Sequence, residues 1–307
     1  MTFEYCAWLK EKLSSGGMDR TWDNCGSRLA DECLVQLLGS KDKQRGEIRD
    51  KYMVNIRKDS HCLKNRFTFL SQIGLDSDFR LLPDPNWLAI EVSFTLMSPW
   101  YSKDDVPLHV LDNPVKKDRV FGVPFMSASS WKGLLRWSCR MSEGLVDHLS
   151  KNKMSMDNWE DPPWIVHLFG NERREREDFS SGALVFFPTW FDTLDFEVIN
   201  PHSRAKRAGT APIYYEVVPP GTKGKLKVLY APLPTQVKSD GVRPGEFIES
   251  LVDSIKSLLE KYGISAKRTV GWGTAKIDDK GWRLYPGDGN PVTAEALVGE
   301  VKRRSSA

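Results

Sequence analysis

Apolar and polar residues alternate from Trp87 to Met97, with Ile90, Val92, Phe94 and Leu96 interleaved with Ala89, Glu91, Ser93 and Thr95. That period predicts a half-buried strand. The turn signal Pro83-Asp84-Pro85 separates it from an N-terminal stretch that reads as helical, with Leu29, Cys33, Leu37 and Leu38 on one stripe. After the strand, Ser98 to Ser127 carries Pro99, Pro107, Pro114 and Pro124. Such a loop is too long for a simple connection and is a candidate functional segment. The next helix is predicted to be capped by Ser129 or Ser130. Trp131, Leu134, Leu135 and Ser138 then face inward, and Lys132, Arg136 and Arg140 recur at i, i+4 and i+8.

Further along, Gly182 to Phe187 predicts a short buried strand and Glu197 to Ile199 the start of another. Ile213 to Val218 and Lys223 to Tyr230 flank Pro219-Pro220-Gly221-Thr222 and predict a hairpin whose second strand puts Lys223, Lys225 and Lys227 on one face. Glu246 to Tyr262 has a continuous helical stripe of Phe247, Leu251, Ile255, Leu258 and Leu259, closed by Gly263. A glycine loop, Thr269 to Thr274, leads into a last strand around Ala275 to Ile277. The pattern therefore divides into a helical N-terminal extension over 1–82, a main domain over 83–285 and a loosely ordered tail over 286–307. The element order is that of an α+β, ferredoxin-like β-α-β-β-α-β unit with insertions.

Composition narrows the classes. Hydrophobic residues at 40% and charged residues at 28% describe a globular chain rather than a disordered one. No apolar run approaches the ~18 residues needed to cross a bilayer, and the start lacks the basic-then-apolar order of a signal peptide, so a cytoplasmic location without membrane contact is expected. Five cysteines without a C-x-x-C pair predict reduced, packed thiols, neither a zinc site nor a disulfide framework. The net charge of +3 is near balance, but its distribution is uneven: between Asn200 and Lys227, Glu216 is the only acid among Arg204, Lys206, Arg207, Lys223, Lys225 and Lys227.

Three clusters are candidate contacts for a polyanion. A serine-rich helix start at Ser129 and Ser130 offers outward backbone N–H groups that suit a phosphate, with Lys132 and Arg136 on the adjoining face. The alternative is a plain cap with solvated basic residues. The glycine loop, with Gly271, Trp272 and Gly273 beside Lys267 and Arg268, permits close backbone approach to a ligand, or is only a tight turn. It follows a helix and opens a strand, the reverse of a Rossmann or P-loop element. A basic loop with Arg204, Lys206 and Arg207 suits salt-dependent phosphate contact. The alternating lysines after residue 222 read equally well as the solvated face of an edge strand. Trp100, Tyr101, Trp131 and Trp272 are candidates for stacking on splayed bases, with core packing the plainer reading of each. The five histidines show no metal-ligand spacing.

Three segments in this order resemble the RAMP superfamily of CRISPR-associated proteins. Val123-Pro124-Phe125-Met126-Ser127-Ala128-Ser129-Ser130-Trp131-Lys132-Gly133-Leu134-Leu135-Arg136 is similar to that family's proline- and serine-rich start of its first helix, with Ala128 where glycine is usual. Leu168-Phe169-Gly170, followed by Gly182-Ala183-Leu184-Val185-Phe186, is similar to its central passage. Gly263 to Gly273 is similar to its C-terminal glycine loop. Asn200-Pro201-His202 resembles a short passage of subunits that close one end of the type III backbone.

The resemblance implies an RNA-binding subunit of a type III CRISPR effector complex. Its partners would be guide RNA (crRNA), target RNA, other RAMP subunits and the large polymerase-like subunit. Leu111-Asp112-Asn113-Pro114-Val115 also resembles the loop with which backbone RAMP subunits cut target RNA. That implies Asp112 as a catalytic carboxylate supported by Mg²⁺ or another divalent ion, and no cofactor if the subunit is not catalytic. A stand-alone guide-processing endoribonuclease is a further alternative within the family.

Overall fold

The computed structural model describes residues 33, 34, 36, 37, 42–58, 60–75, 77–105, 109–171, 181–203, 208, 209, 212–233 and 241–306. They divide into two compact units: Asp76–Ser98, Met126–Thr189 and Lys223–Ala307 form one, and Met1–Leu75, Pro99–Phe125 and Trp190–Thr222 the other.

The first unit is built on β1 (Leu88–Leu96), the strand that the alternation predicts. It continues through α3 (Ala128–Ser142), α4 (Leu145–Lys151), α5 (Pro163–Phe169) and β2 (Leu184–Phe186). It ends with β5 (Lys223–Tyr230), α6 (Pro244–Lys256, prolonged as a wider turn through Ser257–Tyr262), β6 (Ala275–Tyr285) and α7 (Ala294–Ser306). The sheet order is β6-β1-β5-β2, with every pair antiparallel. Taken in chain order these are the fourth, first, third and second strands of a β-α-β-β-α-β unit, which is the ferredoxin-like arrangement. β1 and β2 run the same way, so the chain leaves the sheet at the same end after each of them.

One face of the sheet carries the core. Phe94 meets the ring of Trp131 at 6.1 Å and Tyr230 meets Phe247 of α6 at 5.4 Å. Trp131 is fully buried, and its indole N–H donates to Thr189 Oγ1 at 2.9 Å, so this large ring hides no unpaired polar atom. Ser138 Oγ donates to the Ser254 carbonyl at 2.7 Å and ties α3 to α6. The C-terminal tail departs from expectation. Instead of loose chain it forms α7, because Ala294, Leu297 and Val301 repeat at helical spacing and bury against α6. The N-terminal boundary also moves, since Phe79 packs with Ala89, Leu229 and Tyr285 as part of the sheet unit.

The second unit contains α1 (Asp42–Lys58), α2 (Ser60–Gln72), and β3 (Asp195–Ile199) paired antiparallel with β4 (Ile213–Val217). Its core joins Cys33, Ile48 and Tyr52 to Val110, Leu111 and Phe196. The hairpin predicted across residues 213–230 therefore does not form. β4 pairs with β3, whereas Lys223–Tyr230 enters the main sheet. The turn itself is present, with Thr222 Oγ1 donating to the Pro219 carbonyl at 2.8 Å, but two consecutive prolines have no N–H to extend a ladder across it.

Candidate RNA interface

Helix α3 starts two or three positions earlier than the pattern suggests. Ser127 is the N-cap, in extended conformation, and its Oγ accepts the Ser130 N–H at 3.2 Å. Ser129 and Ser130 already lie in the first turn, exposed, with hydroxyls 3.0 and 2.8 Å from Ser127 Oγ. First-turn N–H groups have no intrahelical acceptor, so the end of α3 presents donors and hydroxyls together.

The basic face of α3 is more restrained than its spacing implies. Arg136 and Arg140 both grip Asp161, at 2.6 Å each, and the Trp159 indole N–H donates to the same carboxylate at 2.8 Å. Burial would raise the Asp161 carboxyl, but Arg140, Trp159 and Arg136 together hold it below the ordinary range. Arg136 thus spends its charge inside the protein. Lys132 keeps its ammonium, lowered by partial burial and by Arg136 nearby.

The glycine loop closes on itself. Gly273 sits at φ +83°, the Ile264 N–H donates to its carbonyl at 2.9 Å, and a Cβ there would press on the Ser265 and Ile264 backbone. Gly271, also at φ +83°, has no atom within 4 Å of the corresponding position, so its surroundings are open. The two glycines have different uses: Gly273 is needed for the fold of the loop, and Gly271 leaves room in front of it. Trp272 between them is half-buried, with its N–H donating to the Lys267 carbonyl at 3.3 Å.

Arg268 links this loop to α3. Its guanidinium stands 4.5 Å over the ring of Trp137, which itself meets Tyr262 at 4.8 Å. Ser130, Gly133 and Trp137 share one face of α3, with Ser130 and Trp137 roughly 10 Å apart along the axis. Gly133 has nothing within 4 Å of its Cβ position, so a shallow open floor separates the serines from Arg268. The capped helix end and the glycine loop therefore share one side of the fold. Arg268 Nη1 is buried yet has no hydrogen-bond acceptor among the described residues. Burial lowers its pKa, and among the described residues no carboxylate offsets that.

Asp112 lies in the other unit, exposed, between buried Leu111 and Val115. Its loop is fastened from below by Glu216, which has no exposed surface. Glu216 Oε2 accepts the Val115 N–H at 3.1 Å and Lys117 Nζ at 2.8 Å, Oε1 accepts the Tyr52 hydroxyl at 2.5 Å, and the Glu216 N–H donates to the Asn113 carbonyl at 3.0 Å. Burial would raise this carboxyl, but the charge of Lys117 and the hydrogen bonds from Lys117 and Tyr52 hold it below its usual value. His109 is pushed down by burial and accepts the Leu111 N–H at Nδ1, so at neutral pH its 3.7 Å approach to Glu216 is a contact of a neutral ring. Sequence reasoning marked Glu216 only as the lone acid in a basic stretch. Its role as a hub shows only once Tyr52 and Lys117 are brought to it.

No group of three or more His, Cys, Asp or Glu side chains among the described residues is placed to hold a metal ion. Asp112 offers one carboxylate beside Asn113, so the residues present do not make an ion site of their own, and no step through an ion follows from them.

Trp100, Tyr101 and Trp131, candidates for stacking, are buried: Trp100 lies 4.9 Å from Phe191 and Tyr101 5.1 Å from Tyr215. These rings are core, and Trp272 is the one of the four with an accessible surface. Arg204, Lys206 and Arg207 lie outside the described residues. Among the described residues no helix is long and apolar enough to cross a membrane.

The family model of the RAMP superfamily matches residues 93–276. No curated protein matches the chain. Among solved structures, a cryo-EM structure of the Type III-B Cmr-beta bound to cognate target RNA aligns at 14% identity and a TM-score of 0.47, covering 95% of this chain and 99% of that chain. A crystal structure of a Csm3-Csm4 subcomplex in the type III-A CRISPR-Cas interference complex aligns at 18% identity and a TM-score of 0.42, covering 71% and 95%. A CRISPR RNA-guided surveillance complex aligns at 16% identity and a TM-score of 0.42, covering 62% and 66%.

Proposed function

The chain belongs to the RAMP superfamily, and from that premise we propose that it is an RNA-binding subunit of a type III CRISPR effector complex. In this reading it works in the cytoplasm beside other RAMP subunits and the large polymerase-like subunit. It holds guide RNA through phosphates at the α3 end and the glycine loop. The observation that carries the proposal is Arg268: a partly buried guanidinium with an unfilled donor and, among the described residues, no counter-carboxylate, near an open glycine and stacked on the helix whose start is capped by serine. A buried donor without an acceptor costs about 1–3 kcal/mol, which a phosphate oxygen would recover. The type III assignment rests on the likeness of the Asp112 loop and the Asn200-Pro201-His202 passage to that class of subunit.

The test is RNA binding by the full chain, followed by fluorescence anisotropy across a salt series. Wild type should lose affinity steeply as salt rises, and Arg268→Ala should weaken binding and lower the salt slope by about 0.7, one single-strand phosphate contact. Salt-insensitive binding, or unchanged binding in Arg268→Ala, would overturn the proposal.

A second reading has its own support. Asp112 is exposed on a loop whose flanks are clamped by Glu216, which would keep an otherwise mobile carboxylate in place. It fits a nuclease role against target RNA, in which Asp112 orients the attacking 2′-hydroxyl. Cleavage of labelled target by assembled complex with Mg²⁺, wild type against Asp112→Ala, decides it; equal cleavage at every site removes the nuclease reading.

A further inference from the structure

Helix α1 carries two arginines that lie over aromatic rings of the β3–β4 pair, and their charges are matched differently. The Arg57 guanidinium stands 5.6 Å over Phe196. Its Nε donates to Asp195 Oδ1 at 2.6 Å and its Nη2 to the Phe196 carbonyl at 3.4 Å, so its charge is answered within the protein. The Arg49 guanidinium stands 4.7 Å over Tyr214. Its Nε is buried without an acceptor, and among the described residues no carboxylate pairs with it. Covering a ring with an arginine is ordinary packing, and it explains the stacking of both residues. It leaves the charge of Arg49 without a use.

The surroundings of Arg49 point to what it meets. Tyr52, three residues further along α1, donates to Glu216, which fastens the Asp112 loop. Tyr214 and Glu216 share a face of β4, because side chains alternate along a strand. The face of α1 that clamps the loop through Tyr52 therefore carries Arg49 as well. Tyr214 is itself joined to the loop: its carbonyl accepts Asn113 Nδ2 at 3.2 Å, and Asn113 forms a parallel bridge with Tyr215. Asp112 and Tyr214, each one residue before that bridge, are thus neighbours. The strand partner of Tyr214 is Val198, which is 50% exposed, so this flank of the ring is not covered. A flat cation and an exposed carboxylate border one open surface without pairing with each other.

We propose that Arg49 is the phosphate-binding residue of the Asp112 site, its guanidinium holding the phosphodiester of the RNA strand that Asp112 contacts. This rests on the reading in which Asp112 faces target RNA, and it supplies a group that the reading lacks. A phosphodiester set against a lone carboxylate is repelled. A guanidinium beside it offsets that charge and offers a planar fork of N–H donors that fits two phosphate oxygens. Negative charge grows on those oxygens as the 2′-hydroxyl attacks, and a cation already held in place by stacking is most effective there. Arg49 precedes the segment matched by the family model, residues 93–276, so the N-terminal region of this chain contributes it.

The test has two readouts. Fluorescence anisotropy of the full chain with a fluorescein-labelled oligouridylate compares wild type with Arg49→Gln, which keeps a flat end group over Tyr214, Arg49→Lys, which keeps the charge, and Arg57→Ala. Each variant is checked for an unchanged circular dichroism spectrum and melting curve. With about 0.7 counterions released per phosphate contact, Arg49→Gln should bind about fivefold more weakly at 0.1 M salt and lower the salt slope by about 0.7. Arg49→Lys should keep the slope, and Arg57→Ala should match wild type. In assembled complex with labelled target and Mg²⁺, Arg49→Gln should slow the cleavage that Asp112→Ala removes by at least about tenfold. If Asp112→Ala abolishes cleavage while Arg49→Gln binds and cleaves as wild type does, the inference is overturned and the nuclease reading stands. If Asp112→Ala cleaves as wild type does at every site, the nuclease reading falls; a lowered slope in Arg49→Gln then still upholds the phosphate contact, and an unchanged slope overturns it too. Equal defects in Arg49→Lys and Arg49→Gln trace to the packing on Tyr214 and overturn the inference. A wild type whose binding is absent or insensitive to salt overturns it as well.

Discussion

Replacing Glu216 by glutamine tests whether a buried carboxylate holds the loop that carries Asp112. Glutamine keeps one oxygen for Lys117 Nζ and the Val115 N–H, at 2.8 and 3.1 Å in the parent, and its amide can face the Tyr52 hydroxyl, which turns to accept. What is lost is charge opposite Lys117. Its side chain is 19% exposed, so water relieves part of the cost, and about 1–2 kcal/mol remains. Leucine instead leaves the Val115 N–H and the Tyr52 hydroxyl without acceptors, at about 1–3 kcal/mol each, for a total near 4 kcal/mol.

Hydrogen exchange at the Val115 amide reads the loop locally, without assuming that the two units unfold together. Exchange should accelerate roughly tenfold in Glu216→Gln and on the order of a thousandfold in Glu216→Leu. The Glu216 carboxyl is held below its usual 4.5 in the folded chain. Its contribution is therefore complete above about pH 4.5 and is lost as pH falls through the lower folded value, a dependence the glutamine variant should lack. Equal protection in wild type and Glu216→Gln, or equal damage from glutamine and leucine, would refute the hub.

The two glycines of the C-terminal loop should separate under mutation: Gly273→Ala clashes with the Ser265 backbone and should lower thermal stability by about 2–3 kcal/mol. Gly271→Ala meets only the left-handed backbone penalty of about 1 kcal/mol, so its larger effect should appear in RNA affinity measured by anisotropy. Asp161→Asn removes the charge shared by Arg136 and Arg140 and should cost about 2–4 kcal/mol in urea unfolding, with no gain in stability as pH rises through the ordinary carboxylate range.

The core of the fold was legible because its pattern is local. The alternation of β1 and the apolar stripe of α6 appear where residues 87–97 and 246–262 predicted them, and the order of elements gave the ferredoxin-like unit. Errors arose where partners are distant in sequence. The strand at Ile213 chose Asp195–Ile199 over its nearest neighbour, a choice that no period in residues 213–230 records. For Trp100 and Tyr101 core packing was the plainer reading and stacking the alternative, and the rings of Phe191 and Tyr215 beside them decide for the core. In the candidate site the pattern placed Arg136 on a basic face but could not show what occupies it: Asp161, 25 and 21 residues from Arg136 and Arg140, holds both, a pairing that no local spacing records.

The central strand β1 pairs Ala89 with Tyr285 on one side and Leu229 on the other. Neither neighbour exists while the first third of the chain emerges from the ribosome, so β1 must wait with both flanks bare until translation has reached the second half, and its outer flank until nearly the last strand is made. Long waits of this kind favour slow, late closure of the sheet and invite association with other unfinished chains. A synthesis halted before Ala275 would leave a centre without its outer strand, and yield in expression should respond to pauses placed there more than to pauses early in the message.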